Sequence, residues 1–219
     1  MEFSDYFPVW DKLTKEQQCT ISDNLQIFHA NAGAMIHNGN MDCLGLLVVR
    51  KGQLRVYATS PDGREITLYR LLDRDACLLT SSCVMPNLQF EVAVDAEKVS
   101  EMWVIPAPVF KELMESSAPV ANYTNQLISS RFSEVLWLME QIMWKSFDKR
   151  LAAFLLEESA LEHTGRLKIT HEKIANHLGT AREVVTRMLR YFQNEGMVIL
   201  TRGTVDLADR KKLQALCED

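Results

Sequence analysis

The chain has 219 residues, of which 47% are hydrophobic and 24% charged, and its formal net charge is −5. This length and composition suit two small domains, each with enough apolar residues for a core. The N-terminal segment is acidic and aromatic, and no apolar run approaches the ~18 residues of a membrane span, which predicts a cytoplasmic protein. Five cysteines without zinc-site spacing are expected to be reduced thiols.

Short apolar runs separated by turn residues extend from about Gly33 to Pro106, and this pattern predicts a compact β-roll. An amphipathic helix is predicted before the roll, near Lys15–Leu25. A second helix is predicted to follow the roll, with Pro108–Met114 as its beginning. The predicted strands are residues 44–50, 53–59, 65–71, 90–96 and 100–106.

A long helix is predicted from about Pro119 to Lys145, because no glycine or proline interrupts the residues that follow Pro119. At ~1.5 Å per residue it would be about 39 Å long, too long for either small domain to cover. Apolar residues recur every seven positions, with a second set between them, as in a two-stranded coiled coil. The dimer positions are Ile128, Val135, Leu138 and Ile142, on a seam that also includes Ala121, Thr124 and Arg131.

A second apolar face of this helix is expected to pack on the β-roll, and it comprises Leu127, Phe132, Leu136, Met139 and Met143. The two faces together predict a homodimer, although a helix packed wholly within one protomer is the alternative. Ser146 is predicted to cap the next helix, whose body is residues 149–160.

The segment from Leu167 to Thr204 contains two short helical patterns around Gly179, where a left-handed turn would lie, followed by a β-hairpin. The apolar positions of the two helices are Ile174, Ala175, Leu178, Val184, Val185, Met188 and Leu189. Four polar residues between them could enter a DNA major groove, namely Arg182, Glu183, Thr186 and Arg187. The segment predicts a winged helix-turn-helix.

The distribution of charge supports this prediction. Residues 1–145 carry 12 basic against 18 acidic side chains, whereas residues 166–212 carry 10 basic against 5 acidic ones. Phosphate binding needs only a local cationic patch, so the acidic total does not exclude a DNA-binding protein.

A β-roll, a long helix and a winged helix-turn-helix occur in this order in the Crp/Fnr family of bacterial transcription regulators, which the whole chain resembles. The resemblance is strongest in SFDKRLAAFLLE (146–157) and in ITHEKIANHLGTAREVVTRMLRYFQNEGMV (169–198). VVRKGQLRVY (48–57) and GREITLYRLL (63–72) resemble the sensor roll of the family, and the chain is most similar to a clostridial-type branch.

The resemblance implies an α+β fold in three parts. Residues 1–115 would form an effector-sensing β-roll like a cyclic-nucleotide-binding jelly roll, residues 116–145 a long dimerisation helix, and residues 146–219 the winged helix-turn-helix domain. It also implies that an effector or a redox signal in the roll shifts the helices of a homodimer on a palindromic operator, with RNA polymerase as a further partner.

Family contacts can be transferred to matching positions. The resemblance assigns base reading to Arg182, Glu183, Thr186 and Arg187, with Arg187 on guanine and Glu183 on cytosine. It assigns phosphate contacts to Lys168, Thr170, Thr180, Arg190 and Arg202, with Arg202 at the tip of the wing. Thr170 could also be a helix N-cap, and Glu183 could instead pair with Arg187 on the helix surface.

Departures from the family argue against cyclic AMP as the effector. Family members that bind cyclic AMP carry a Gly-Glu pair and a later Arg-Ser pair. In this chain Leu78, Leu79 and Thr80 lie near the position of the first pair, and Phe90 and Glu91 replace the second. An anionic phosphate would lose a charge-assisted pair worth several kcal/mol, roughly. The candidate pocket residues are Cys77, Thr80, Cys83, Phe90, Arg131, Val135 and Leu136, with Arg131 facing either a carboxylate ligand or the dimer seam.

Other cofactors have little support in the sequence. An iron–sulfur cluster would need several N-terminal cysteines, and only Cys19 lies in the first forty residues. Haem could use His29, His37, Cys77 or Cys83, but none lies in a specific motif. His171 and His177 are expected to be polar surface residues, with no metal between them.

Two further hypotheses concern function and sensing. No P-loop, GxSxG or HExxH motif suggests an enzyme, while a small-molecule-binding module that does not bind DNA is the alternative to a regulator. Cys77 and Cys83 could come within disulfide distance or bind a soft metal, but buried structural thiols are the favoured interpretation.

Overall fold

The computed structural model describes residues 2–38, 43–78 and 92–218. The chain divides into two compact units, one made of Met1–Ala58 and Leu68–Val135, the other of Thr59–Thr67 and Leu136–Asp219. In the described part of the chain, no helix is both long enough and apolar enough to cross a membrane.

The first unit contains a β-roll of two four-stranded sheets, ordered β1-β8-β3-β6 and β2-β7-β4-β5. β8 pairs antiparallel with β1 and β3, and β7 pairs antiparallel with β2 and β4. The strands are β1 (Gln26–Ala30), β2 (Met35–Asn38), β3 (Gly45–Lys51), β4 (Leu54–Thr59), β5 (Glu65–Leu71), β6 (Ala76–Cys77), β7 (Val92–Ala96) and β8 (Ser100–Pro106).

β3 lies between two cores, which explains its unbroken apolar sequence. Leu46 and Val48 pack with the N-terminal aromatic residues and the helices, whereas Leu47 and Val49 pack between the two sheets. All four side chains are fully buried. A strand covered on both faces needs apolar residues at every position, in place of the alternation of a half-exposed strand.

Three helices complete the first unit: α1 (Lys15–Asn24), α2 (Ala107–Ser116) and α3 (Ala118–Trp144), the last of which continues into the second unit. Thr14 begins α1 with a capping box, in which its hydroxyl accepts from the backbone N–H of Gln17. Val120 and Thr124 of α3 are buried, and the Thr124 hydroxyl donates to the Val120 carbonyl at 2.9 Å. This local bond allows a polar residue to lie on the packed face of the helix.

The second half of α3 is exposed on its apolar side. Leu127 packs against the core of the roll, as predicted. The prediction that four further residues of this face also pack on the roll is wrong, because their side chains are 44–63% exposed. These residues are Phe132, Leu136, Met139 and Met143. Ile128 and Ile142 are exposed as well. The apolar stripe therefore has no partner among the described residues of the single chain.

The second unit contains four helices, α4 (Phe147–Leu161), α5 (His171–Leu178), α6 (Arg182–Asn194) and α7 (Arg210–Glu218). Its three-stranded sheet has the order β10-β11-β9, with β9 (Arg166–Leu167), β10 (Val198–Thr201) and β11 (Thr204–Leu207). Ser146 occupies the predicted N-cap of α4 in extended conformation, but its side chain makes no capping hydrogen bond.

The principal predicted elements are confirmed, including the helix near residues 15–25, the long helix, the helix-turn-helix and the hairpin after it. Among the described residues four strands were missed, namely β1, β2, β6 and the two-residue β9, and so was helix α7. β1 is exposed at four of its five positions, β2 has four residues and β6 only two, so none carries a strong apolar pattern.

Candidate nucleic-acid interface

α5 and the turn after it are fixed by local hydrogen bonds. Thr170 is the N-cap of α5, and its hydroxyl accepts from the backbone N–H of Lys173 at 3.1 Å. Gly179 ends the helix in the left-handed region with φ 67°, as predicted. A Cβ at this position would lie 2.9 Å from the Cδ1 atom of Ile66, so both backbone conformation and space require glycine.

Arg150 of α4 holds the end of α5. Its guanidinium donates to the carbonyl oxygen of Leu178 at 3.0 Å, which satisfies one of the acceptors left open at a helix C-terminus. Burial lowers the pKa of Arg150 from its ordinary value. The bond connects the body of the domain to the turn that orients α6.

α6 places its fully buried apolar residues and its charged residues on opposite sides. Val185, Leu189 and Phe192 are fully buried in the core of the second unit. The opposite side forms a groove lined by Arg182, Glu183, Thr186, Arg187, Arg190, Tyr191 and Asn194. The structure therefore brings all four predicted base-reading residues, and Arg190, to one outward surface.

Tyr191 and Asn194 are groove residues that the sequence analysis missed. Tyr191 is 49% exposed, and both residues follow Arg187 and Arg190 at a spacing of four, which places them on the same side of the helix. This spacing could have identified them. In the described part of the chain no ion pair joins Glu183 to Arg187, so neither side chain is committed to the other.

The predicted phosphate contacts lie on several elements of the second unit, and one of them, Arg190, lines the groove. Arg202 is exposed in the turn between β10 and β11, next to Gly203 with φ 71°. Lys168 is exposed directly after β9, and Thr180 lies partly buried in the turn between α5 and α6. Their assignment to the phosphates of a duplex stays a prediction.

The two histidines of α5 are not the plain surface residues that the sequence predicted. His177 is buried, and its Nδ1 lies 2.8 Å from the hydroxyl of Thr67. His171 is half-buried, with Nδ1 2.9 Å from the Thr186 hydroxyl. Burial, followed by the positive charges of Arg182 and Arg190, lowers the pKa of His171.

In the first unit, the Arg131 side chain contacts the β-roll, whereas a cation of the dimer seam was the favoured interpretation. Its guanidinium bonds Glu134 at 2.8 and 2.9 Å, donates to the Ala76 carbonyl at 3.4 Å and lies 4.6 Å from the centre of the Tyr69 ring. Burial acts to lower the pKa of Arg131, but hydrogen bonds and charge from Glu134 more than offset it.

One cysteine confirms the favoured interpretation of a buried structural thiol, and another contradicts the expectation of reduced thiols. Cys77 is fully buried in β6 and forms no disulfide, so the hypothesis of a Cys77–Cys83 disulfide is wrong and the interpretation of Cys77 as a buried thiol is confirmed. Cys43 is disulfide-bonded, which contradicts the expectation of reduced thiols throughout. The predicted pocket residues Thr80, Cys83 and Phe90 lie outside the described residues.

Metal and haem candidates are not brought together in the regions that can be described. Among residues 2–38, 43–78 and 92–218, no group of three or more His, Cys, Asp or Glu side chains could hold a metal ion. His37 is buried on β2, where burial lowers its pKa, whereas His29 is exposed on β1.

A winged helix-turn-helix with a polar outward face defines the DNA-binding class of protein. Comparison with known proteins agrees. Residues 149–216 match the Crp-like helix-turn-helix domain, and residues 27–117 match the cyclic nucleotide-binding domain.

Whole-chain similarity is also high. A transcriptional regulator of the Crp/Fnr family from Eubacterium rectale is 60% identical, with a TM-score of 0.97 over 98% of this chain and 100% of that one. The transcriptional activator protein Anr of Pseudomonas aeruginosa is 26% identical over 179 residues, 78% of this chain and 72% of that protein. The cyclic AMP receptor protein of Thermus thermophilus is 24% identical over 78% of each chain.

The chain belongs to the Crp/Fnr family of transcriptional regulators. It has the α+β architecture of that family, with a cyclic-nucleotide-binding-like roll, a long helix and a DNA-binding helix-turn-helix domain. The family consists of DNA-binding regulators and not of enzymes.

Proposed function

We propose that the protein acts in the cytoplasm as a homodimer on a two-fold symmetric operator, and that an effector in the β-roll controls it. The observation that carries this proposal is the groove on α6, where every lining residue has a charged or hydrogen-bonding side chain. Such side chains complement base edges and phosphates. On the operator the dimer is also expected to contact RNA polymerase.

The exposed stripe of α3 supports the homodimer. Ile128, Phe132, Val135, Met139 and Ile142 follow one another at spacings of four and three residues, the heptad spacing of a coiled coil. Four of these side chains are 37–62% exposed, and Val135 is partly buried. Packing against a second copy would remove this apolar area from water. Leu138, predicted for the same seam, lies to one side of the stripe.

Base reading is assigned to Arg182, Glu183, Thr186 and Arg187. Arg187 would donate two hydrogen bonds to guanine, and Glu183 would accept from cytosine N4. Lys168, Thr170, Thr180, Arg190 and Arg202 would bind phosphates and fix the position of α6 without reading sequence. The Thr170 hydroxyl accepts a hydrogen bond at the helix start. Its own hydrogen remains available to donate to a phosphate oxygen, so capping and a contact with the DNA backbone are compatible.

The effector is proposed to be uncharged and mostly apolar, and to bind where α3 passes the roll. The walls there are largely apolar or weakly polar: Tyr69 and Cys77 are buried in the roll, and Val135 is partly buried on α3. A cyclic phosphate does not fit the described residues well, because the Arg131 guanidinium is already paired with Glu134 and a second anion would have to displace that carboxylate. Absorbance spectra and native mass spectrometry of purified protein would detect a copurified haem, cluster or metabolite.

Selection of binding sites from random duplex DNA tests the proposal. The enriched sites should have two-fold symmetry, with half-site centres one helical turn, ~10–11 bp, apart. Arg187→Ala should cost ~1–3 kcal/mol and relax the preference at one guanine, because it removes a bidentate contact. Thr180→Ala is the matched control and should weaken all sequences alike.

Two results would contradict this function. Enriched sites without symmetry would exclude a symmetric dimer on the operator. Complete loss of DNA binding in the presence of heparin competitor, for every selected sequence, would favour a small-molecule sensor that does not recognise DNA specifically.

A further inference from the structure

His171 and Thr186 form a hydrogen-bonded pair at the edge of the α6 groove. The Thr186 hydroxyl donates to the carbonyl oxygen of Arg182 in its own helix at 2.9 Å. The same hydroxyl oxygen lies 2.9 Å from Nδ1 of His171 in α5. A hydroxyl has a single hydrogen, and the Arg182 carbonyl already receives it. The hydrogen between the two side chains therefore belongs to His171 Nδ1.

This arrangement uses most of the polar capacity of Thr186. The donor is engaged by Arg182 and one lone pair by His171, which leaves a single lone pair for any other partner. A threonine in a helix populates two χ1 rotamers, and the hydrogen bonds of its hydroxyl determine which one is favoured. With the hydroxyl held from two sides, the rotamer is fixed, and the γ-methyl group is fixed with it.

We propose that Thr186 recognises a thymine through contact between its γ-methyl group and the thymine C5-methyl, and that His171 is the positioning residue that holds this methyl in place. Thr186 lines the groove beside Arg182, Glu183 and Arg187. The C5-methyl of thymine is the apolar group that the major groove offers, and threonine methyls are among its partners. The inference rests on the proposed DNA-binding function and specifies the chemistry of one contact.

The electrostatics of the pair agree with a neutral imidazole. Burial and the charges of Arg182 and Arg190 hold the pKa of His171 below its ordinary value. A neutral ring has one N–H, and the hydrogen-bond pattern places it on Nδ1. His171 then orients Thr186 without adding a charge that would bind phosphates of any sequence.

Deoxyuridine substitution tests the contact directly, because it removes only the C5-methyl of thymine. In an operator selected with the wild-type protein, each thymine of a half-site is replaced in turn. At one thymine position per half-site, binding should weaken roughly fourfold, the change that corresponds to about 0.8 kcal/mol for one methyl-sized apolar group. No loss at any thymine would overturn the proposal.

Two variants of Thr186 separate its methyl from its hydroxyl. Thr186→Ser keeps both hydrogen bonds and removes the methyl, so it should bind thymine and deoxyuridine operators equally at that position. Thr186→Val removes the hydroxyl and its bond to His171, but valine has one strongly preferred rotamer in a helix, so its methyl stays in place and discrimination should be retained. Full discrimination by Thr186→Ser would overturn the proposal, because the γ-methyl would then not be the group that reads the thymine.

His171 variants test the positioning role. His171→Ala should reduce the ratio of thymine to deoxyuridine affinity, and His171→Asn, whose amide can donate from nearly the same place, should restore it. A merely structural role would weaken both operators equally and leave the ratio unchanged. Absence of any operator binding by the wild-type protein would instead contradict the proposed function itself.

Discussion

Two helices of this protein carry exposed residues at the same spacing but with opposite chemistry. On α3, Phe132, Val135, Met139 and Ile142 follow at intervals of three, four and three, and on α6 Glu183, Arg187, Arg190 and Asn194 follow at four, three and four. Both stripes lie on one side of a helix. The apolar stripe suits a second copy of the chain, whereas the polar stripe suits phosphates and bases. The spacing of residues along a helix shows which of them share one face, whereas the chemistry of their side chains indicates what kind of partner that face binds.

The largest effect is expected from a charge placed in the apolar stripe of α3. Ile142→Glu would place two carboxylates against each other in the proposed seam, at a cost of several kcal/mol, roughly. We expect monomers in analytical sedimentation and no gel shift with operator DNA. Val135→Glu should behave in the same way.

Trp137→Glu is the matched control for this experiment. Trp137 is 59% exposed, and the helical repeat places it on the side of α3 opposite the stripe. This variant should remain dimeric and bind DNA. If Trp137→Glu dissociates while Ile142→Glu stays dimeric and DNA-competent, the seam lies on the other side of α3.

A smaller effect is expected when the support of α6 is weakened, because the Arg150 hydrogen bond holds the turn that precedes this helix. Arg150→Met keeps the apolar stem but removes the donor to the Leu178 carbonyl. The free energy of unfolding should fall by ~1–3 kcal/mol. Lys149→Met removes a neighbouring charge without this bond and should change stability little. Equal effects in urea titrations would mean that the Arg150 bond is not stabilising.

The smallest effect is a dependence of stability on pH. His37 and His171 have pKa values below the ordinary 6.5, His37 through burial and His171 through burial and then the charges of Arg182 and Arg190 on α6. Between pH 6.5 and the lowered pKa, the unfolded chain binds these protons and the folded chain does not. Stability is therefore complete above pH 6.5 and falls as pH decreases below it.

Urea denaturation at pH 7.5 and pH 5.5 measures this slope. The double variant His37→Asn, His171→Asn should show a flatter profile, because neither site can take up a proton. An unchanged slope in the double variant would assign the dependence to other groups.

The sequence predicted α6 more completely than its neighbours. The apolar positions of a strongly amphipathic helix identify its buried side, so the outward location of Arg182, Glu183 and Arg187 followed directly. The pairing of His171 with Thr186 could not be predicted, because the two residues are on different helices and their distance depends on how α5 packs against α6.

The faces of α3 show a different kind of failure. A heptad pattern groups residues by side but does not say which side faces the same protomer. Thr124 and Arg131 face the roll despite their polarity, because Thr124 bonds its own helix and Arg131 is neutralised by Glu134. Phe132 and Met139 are exposed despite being apolar. Polarity alone therefore assigned these positions to the wrong sides.

The contact at the turn of the helix-turn-helix has a practical consequence for dissecting the protein. Ile66 forms an isolated β-bridge with Leu178 and crowds Gly179, while Thr67 bonds His177. These two residues precede α5 by more than a hundred positions but belong to the same compact unit. A truncation that begins at Leu136 would expose the surface that Ile66 covers and remove the Thr67 hydroxyl from His177. A DNA-binding fragment that keeps these contacts must therefore include the tip of the β4–β5 hairpin. Truncation of the chain at one position cannot produce such a fragment.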